Sequence, residues 1–168
     1  RKSQLYEWFG LKEFRREQLE PINAILAGSS NARDPRNVLI ISPTGSGKSL
    51  VYQLPPLISG KKVIIIEPLN ALRGNQVETV NQKCAKVVAK EIRASAETDE
   101  SPAETRKSIL FDDEQLLYLS PEKLQNSFAV QEAVRILHSC GKLDYVVIDE
   151  AHLIYEWHEN RPAYEWAI

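Results

Sequence analysis

Apolar residues gather into five short runs: Val38-Leu39-Ile40-Ile41, Lys62 to Ile66, a weaker one from Ala85 to Ala89, Gln115 to Leu119, and Tyr145-Val146-Val147-Ile148. Runs this short, rich in β-branched residues and free of polar alternation, predict strands buried on both faces. The stretches between them carry helical spacing. Leu19, Ile22, Ile25 and Leu26 predict a helix that follows a capping segment over Leu5 to Gln18; Pro21 either kinks it or lies in its first turn, and Gly28 stops it. Further helices are predicted over Leu50 to Ile58, over Leu69 to Lys83, and from Pro121 to about His138 with Ser120 as N-cap. Ser29 to Arg36 reads as a polar linker, and Glu91 to Lys107 as a loop with a short helix after Ser101-Pro102. Strands alternating with helices predict an α/β domain whose parallel sheet is covered on both faces. Ligands then belong at the carboxyl ends of the strands.

The first run leads straight into Ser42-Pro43-Thr44-Gly45-Ser46-Gly47-Lys48-Ser49 and then into a helix. Strand, glycine loop and helix is the setting in which a phosphate-binding loop works. Glycines let backbone N–H groups turn inward around a phosphate, Lys48 reaches the β and γ oxygens, and the Ser49 hydroxyl is suited to Mg²⁺. Thr44, Gly45, Ser46, Gly47, Lys48 and Ser49 are therefore the candidate residues for a nucleoside triphosphate. The general pattern begins with a glycine where this chain has Ser42. A glycine- and serine-rich turn with an incidental lysine is the alternative, and the flanking elements argue against it.

Composition narrows the picture in two ways. With 168 residues, 43% hydrophobic and 26% charged, the chain is sized for one globular domain, which excludes a disordered or fibrous class. Its net charge of −2 means that bulk electrostatics do not select nucleic acid, so any such site is a local patch. Cys84 and Cys140 lie far apart without metal-ligand spacing, the pattern of reduced structural thiols in an intracellular protein. No run has the length of a membrane span, and no signal-peptide core follows Arg1-Lys2-Ser3-Gln4.

The last apolar run ends in Asp149-Glu150-Ala151-His152. Consecutive carboxylates at a strand end supply what a triphosphatase needs beside its phosphate loop: Asp149 to hold Mg²⁺ and Glu150 to polarise the attacking water. Lys48, Asp149 and Glu150 are the candidate catalytic residues, with Ser49 and Asp149 as candidate metal ligands. A solvated acidic turn is the alternative, disfavoured by the Val/Ile run before it.

Taken together, Ser42 to Leu50, Tyr52-Gln53-Leu54-Pro55, Pro68-Leu69 with Gln76-Val77, Leu117 to Glu122, and Asp149 to His152 resemble successive motifs of the RecQ group of superfamily 2 DNA helicases. The resemblance covers almost the whole chain. It implies a three-layer RecA-like P-loop NTPase fold with a mostly parallel sheet, residues 1–168 forming the first, ATP-binding lobe. It implies ATP and Mg²⁺ as cofactors, single-stranded or forked DNA as partner, and 3′-to-5′ strand separation as activity, in the nucleus of a eukaryote or the cytoplasm of a bacterium. Phe14, Arg15 and Gln18 resemble the group's adenine-recognition motif; by composition alone Gln18 is a helix-surface residue. Trp157-His158-Glu159-Asn160-Arg161-Pro162 resembles the aromatic-rich loop that senses DNA, which makes Trp157 and Arg161 the candidate nucleic-acid contacts. An amphipathic cluster of Tyr155, Trp157, Tyr164 and Trp166 is the other reading.

Several positions depart from the family. The aromatic-rich loop is one residue shorter and has Asn160 where phenylalanine is usual, Glu67 replaces a common serine, and Leu153 replaces a cysteine. Leu69 to Gln76 diverges, so a DNA-backbone contact at Arg73 competes with a solvated helix face. The family's next strand and its second lobe, source of the arginine finger, would follow Ile168. The resemblance therefore implies a sheet incomplete at its C-terminal side, with strands at 38 to 41 and 144 to 148 and none between them, and a chain that does not unwind DNA alone. A catalytically incompetent nucleotide- or nucleic-acid-binding helicase remnant is the alternative function.

Overall fold

β1 (Lys62–Ile66) sits inside the sheet with all five residues buried. In the computed structural model, which describes residues 1–29, 37–43, 45–93 and 100–153, it pairs in parallel with β3 (Leu116–Leu119) on one side and β4 (Leu143–Ile148) on the other. β2 (Ala89–Glu91) adds outside β3, giving the order β2-β3-β1-β4. Alternation along the strands then builds two cores. Val63, Ile65, Leu116 and Tyr118 face one side and join residues of α1 (Lys2–Phe9), α2 (Leu19–Ser29), α3 (Lys48–Ser59) and α4 (Asn70–Lys83). Ile64, Ile66, Leu117 and Leu119 face the other, against α5 (Pro102–Phe111), α6 (Pro121–Asn126) and α7 (Phe128–Ser139). This is the predicted three-layer, RecA-like α/β arrangement, and it brings the carboxyl ends of β1, β3 and β4 to one edge. Among the described residues no helix is long and apolar enough to cross a membrane.

The structure corrects four expectations. Residues 38–41 form no strand, and Leu39 and Ile41 are 80% and 89% exposed. A strand exists by virtue of its ladder, and β4, at the edge of the sheet, pairs only with β1 among the described residues. The segment before residue 19 holds a helix, α1, because Leu5 and Phe9 stack one turn apart into the core and Gly10 closes the helix at φ 65°. The weak third strand lies at 89–91 rather than 85–89. The Asn81 side chain takes the N–H groups of Val88 and Ala89 and donates to the Ala89 carbonyl, fixing where pairing begins.

The predicted helix from Pro121 to His138 is two helices. Ser127 is extended at φ −109° and ψ 103°, and its hydroxyl accepts from the N–H of Val130, so it ends α6 and caps α7. The Gln131 amide closes the break by donating to the carbonyls of Leu124 and Gln125. Other signals read as written: Ser101 and Glu104 form a capping box with Pro102 at the first turn, and Ser120 caps α6 ahead of Pro121. Pro21 lies in the first turn of α2. Of the predicted linker from Ser29 to Arg36, Ser29 ends α2 and residues 30–36 fall outside the described residues.

Candidate functional site

The glycine loop turns because its glycines adopt a backbone that other residues avoid: Gly45 has φ 79° and Gly47 φ 88°. Gly47 is the N-cap of α3, so the first N–H groups of that helix, beginning at Lys48 and Ser49, open toward the loop. Arg15 and Gln18 brace it from the side. The Gln18 amide nitrogen donates to the Gly47 carbonyl at 3.0 Å, its oxygen accepts from the Arg15 N–H at 2.8 Å, and the Arg15 guanidinium donates to the Gly45 carbonyl. Gln18, expected on an exposed helix surface by composition, is 6% exposed and half of a bracket around the loop. Phe14 packs against the first core beside them.

One observation bears on what the loop holds. The Ser46 hydroxyl is buried with no hydrogen-bond partner among the described residues, an arrangement that costs about 1–3 kcal/mol unless a ligand answers it. It borders a small cleft of about 120 Å³ shared with Gln18 and Lys48. A hydroxyl awaiting an acceptor, glycine backbone and a helix N-terminus make a donor set that fits a phosphate. A wider cleft of about 550 Å³ between α5, α6 and α7 carries none of the candidate residues, so the site is identified by its donors and not by volume. Thr44 falls outside the described residues.

Asp149 follows β4 directly, and its N–H continues the ladder to the Ile66 carbonyl at 3.0 Å. Both of its carboxylate oxygens are held. Oδ1 accepts from the Glu150 N–H at 2.9 Å, and Oδ2 accepts from the Tyr52 hydroxyl at 2.6 Å and from the Gln76 amide at 3.3 Å. Glu150 has φ 48°, a left-handed conformation rare for a non-glycine residue and typical of strained functional positions. Its carboxylate lies 3.3 Å from the His152 imidazole. Tyr52 stands three and four residues after Ser49 and Lys48 on α3, so the helix face that starts at the glycine loop reaches the acidic box within one turn.

Three residues of this cluster carried no role from sequence: Tyr52, Gln76 and Glu67. The first two stood within recognisable motifs, yet their common target is visible only once α3, α4 and β4 meet. Glu67, at the carboxyl end of β1, has no exposed surface; it accepts from the Leu69 N–H at 3.0 Å and from the Gln76 amide at 3.4 Å. Burial pushes its pKa up to about 7, the Leu69 hydrogen bond opposes this, and the carboxylates of Asp149 and Glu150 add to it. An acid raised in this way keeps a proton in the folded state that the unfolded chain releases near 4.5. Its stabilising contribution is complete below about pH 4.5 and is lost as pH rises through 7. Denaturant unfolding of the metal-free protein is expected to weaken between pH 5 and pH 8 by up to about 3 kcal/mol more in wild type than in Glu67→Gln. Parallel pH profiles for the two proteins would refute this.

Arg73 belongs to neither expectation for it. It is 4% exposed, with its Nε 3.0 Å from Glu91 Oε1 and its Nη1 donating to the Glu67 carbonyl at 3.0 Å. It ties α4 to the ends of β1 and β2 and presents no surface to a nucleic acid. Trp157 and Arg161, with the rest of the aromatic-rich stretch, lie outside the described residues.

The known proteins that this chain resembles are helicases. The family model described as DEAD/DEAH box helicase matches residues 15–168. ATP-dependent helicase SGS1 of Saccharomyces cerevisiae is 37% identical over 96% of this chain and 11% of that protein. RecQ-like DNA helicase BLM of Xenopus laevis is 38% identical over 94% of the chain and 11% of its own length. ATP-dependent DNA helicase RecQ of Haemophilus influenzae is 34% identical over 93% and 23% respectively. The chain thus spans about a tenth to a quarter of the length of these relatives. Among solved structures, that of the DUF1998 helicase MrfA bound to DNA and AMPPNP matches with a TM-score of 0.60 at 22% identity, covering 91% of this chain and 21% of that one; at that identity the likeness speaks to the fold.

Proposed function

We propose that this chain, which belongs to the DEAD/DEAH box helicase family, is the ATP-binding lobe of a RecQ-like helicase in which ATP hydrolysis drives 3′-to-5′ separation of DNA strands. The observation that carries the reading is the meeting at one sheet edge of the glycine loop, with its unanswered Ser46 hydroxyl, and the acidic box, joined by the 2.6 Å bond from Tyr52 to Asp149. Lys48 and the N–H groups at the start of α3 would bind the β and γ phosphates, and Phe14, Arg15 and Gln18 the adenine side. Ser49 and Asp149 would hold Mg²⁺, which supplies charge neutralisation on the phosphate oxygens. Glu150 would take the proton from the attacking water, and its place immediately after Asp149 puts base and metal ligand side by side. Trp157 and Arg161 are proposed DNA contacts.

The remnant reading draws on one feature: the Gln18 amide proposed for adenine is already bonded to Gly47 and Arg15. ATP hydrolysis by the full-length protein that carries this chain separates the two. The helicase reading expects turnover that rises with single-stranded DNA, is not matched by RNA, and unwinds a duplex with a 3′ tail but not one with a 5′ tail. Nucleotide binding with no DNA-dependent hydrolysis establishes the remnant instead.

A further inference from the structure

We infer that Tyr52 and Gln76 are positioning residues for the Asp149 carboxylate, so that α3 and α4 jointly set the orientation in which that carboxylate meets a divalent cation; this rests on the proposed ATPase reading. Asp149 Oδ2 lies within hydrogen-bond reach of the Tyr52 hydroxyl at 2.6 Å and the Gln76 amide nitrogen at 3.3 Å, and the Gln76 carboxamide oxygen is 2.9 Å from the same hydroxyl. Two groups from different helices therefore converge on one oxygen and on each other. A carboxylate at the end of a strand is otherwise free to rotate about its own side-chain bonds; these contacts remove that freedom.

The surroundings make the arrangement stiff. The Tyr52 ring is buried, so packing holds its hydroxyl in place against Asp149. Its own carbonyl accepts from the Tyr145 hydroxyl on β4 at 2.8 Å, a second link between α3 and the strand that carries Asp149. The same Gln76 amide nitrogen that reaches Asp149 also donates to Glu67 Oε2 at 3.4 Å, and α4 is fixed by the Arg73–Glu91 ion pair. Partners that orient a ligating carboxylate are worth about 10- to 100-fold in metal affinity.

The test is Mn²⁺ binding, followed by paramagnetic resonance, to the full-length protein with a non-hydrolysable ATP analogue. Tyr52→Phe keeps the ring and removes the donor; Gln76→Met keeps the length of the side chain and removes the amide. Each is expected to weaken Mn²⁺ by about tenfold or more. Binding of the analogue in excess chelator should stay at the wild-type level in Gln76→Met, since that amide contacts Tyr52, Glu67 and Asp149 and not the glycine loop, whereas the Tyr52 hydroxyl also reaches Ser49. The two losses are expected to be less than additive, because both groups hold the same oxygen. Wild-type Mn²⁺ affinity in both variants overturns the inference, as does a loss confined to metal-free analogue binding. A wild-type protein that binds neither analogue nor Mn²⁺ overturns the ATPase reading itself and the inference with it.

Discussion

Replacing Glu150 by glutamine is expected to lower ATP turnover by about 10²- to 10⁴-fold, the usual contribution of a positioned general base, with nucleotide affinity close to wild type. The substitution is nearly isosteric. The left-handed backbone at φ 48° is as costly for glutamine as for glutamate, so the fold around Asp149 does not change on that account. The Glu150 N–H keeps its bond to Asp149 Oδ1, because that contact belongs to the main chain. What is lost is the carboxylate's ability to accept a proton. Lys48→Ala makes the opposite division, since it removes a charge from the bound phosphates and is expected to appear first in nucleotide affinity. Phosphate-release kinetics and equilibrium binding of a fluorescent nucleotide on the two variants measure the split. A Glu150→Gln protein that hydrolyses ATP at the wild-type rate would remove Glu150 from the mechanism.

These variants test the part of the site that was legible in sequence, and the reason is physical. The glycine loop and the acidic box each place their chemistry in consecutive residues, so the local chain fixes both identity and geometry. The central strands were legible for a related reason: Lys62–Ile66 is buried on both faces, and an unbroken β-branched run is the signature of that environment. The same signature misled at 38–41, where the residues have the strand's composition but no neighbouring ladder among the described residues. A pattern reports what a segment is suited to, whereas pairing depends on what lies beside it.

The polar cluster around Asp149 was illegible for the converse reason. Tyr52, Gln76 and Glu67 come from three elements, and none has a local pattern that points to the others. Each has an ordinary explanation when met singly, as a packed aromatic, a helix-surface amide and a strand-end acid. Arg73 is similar: a DNA-backbone contact and a solvated helix face were the two readings of it, and only the fold shows Glu91 beside it. Ser127 was nearer to being readable, since a serine ahead of an apolar helical run is an N-cap signal; the continuous helical spacing on either side hid the break.

The two loop glycines are expected to respond unequally to alanine. Both lie at positive φ, so each substitution costs about 1–2 kcal/mol from the backbone alone. At Gly45 nothing among the described residues stands within 4 Å of the added Cβ, and the backbone cost is the expected effect. At Gly47 the Cβ would meet the Gln18 amide nitrogen at 2.5 Å, which no real contact tolerates. Gln18 must then leave, surrendering its bonds to the Gly47 carbonyl and the Arg15 N–H, each worth about 1 kcal/mol net. Gly47→Ala should therefore destabilise the protein by about 3–4 kcal/mol, against about 1–2 for Gly45→Ala. Denaturant unfolding gives both values. Adding Gln18→Ala to Gly47→Ala should cost far less than Gln18→Ala does in the wild-type protein, because the bonds it removes are already gone and the collision is relieved. Equal losses at the two glycines, or simple additivity of Gln18→Ala with Gly47→Ala, would mean that Gln18 does not brace the loop.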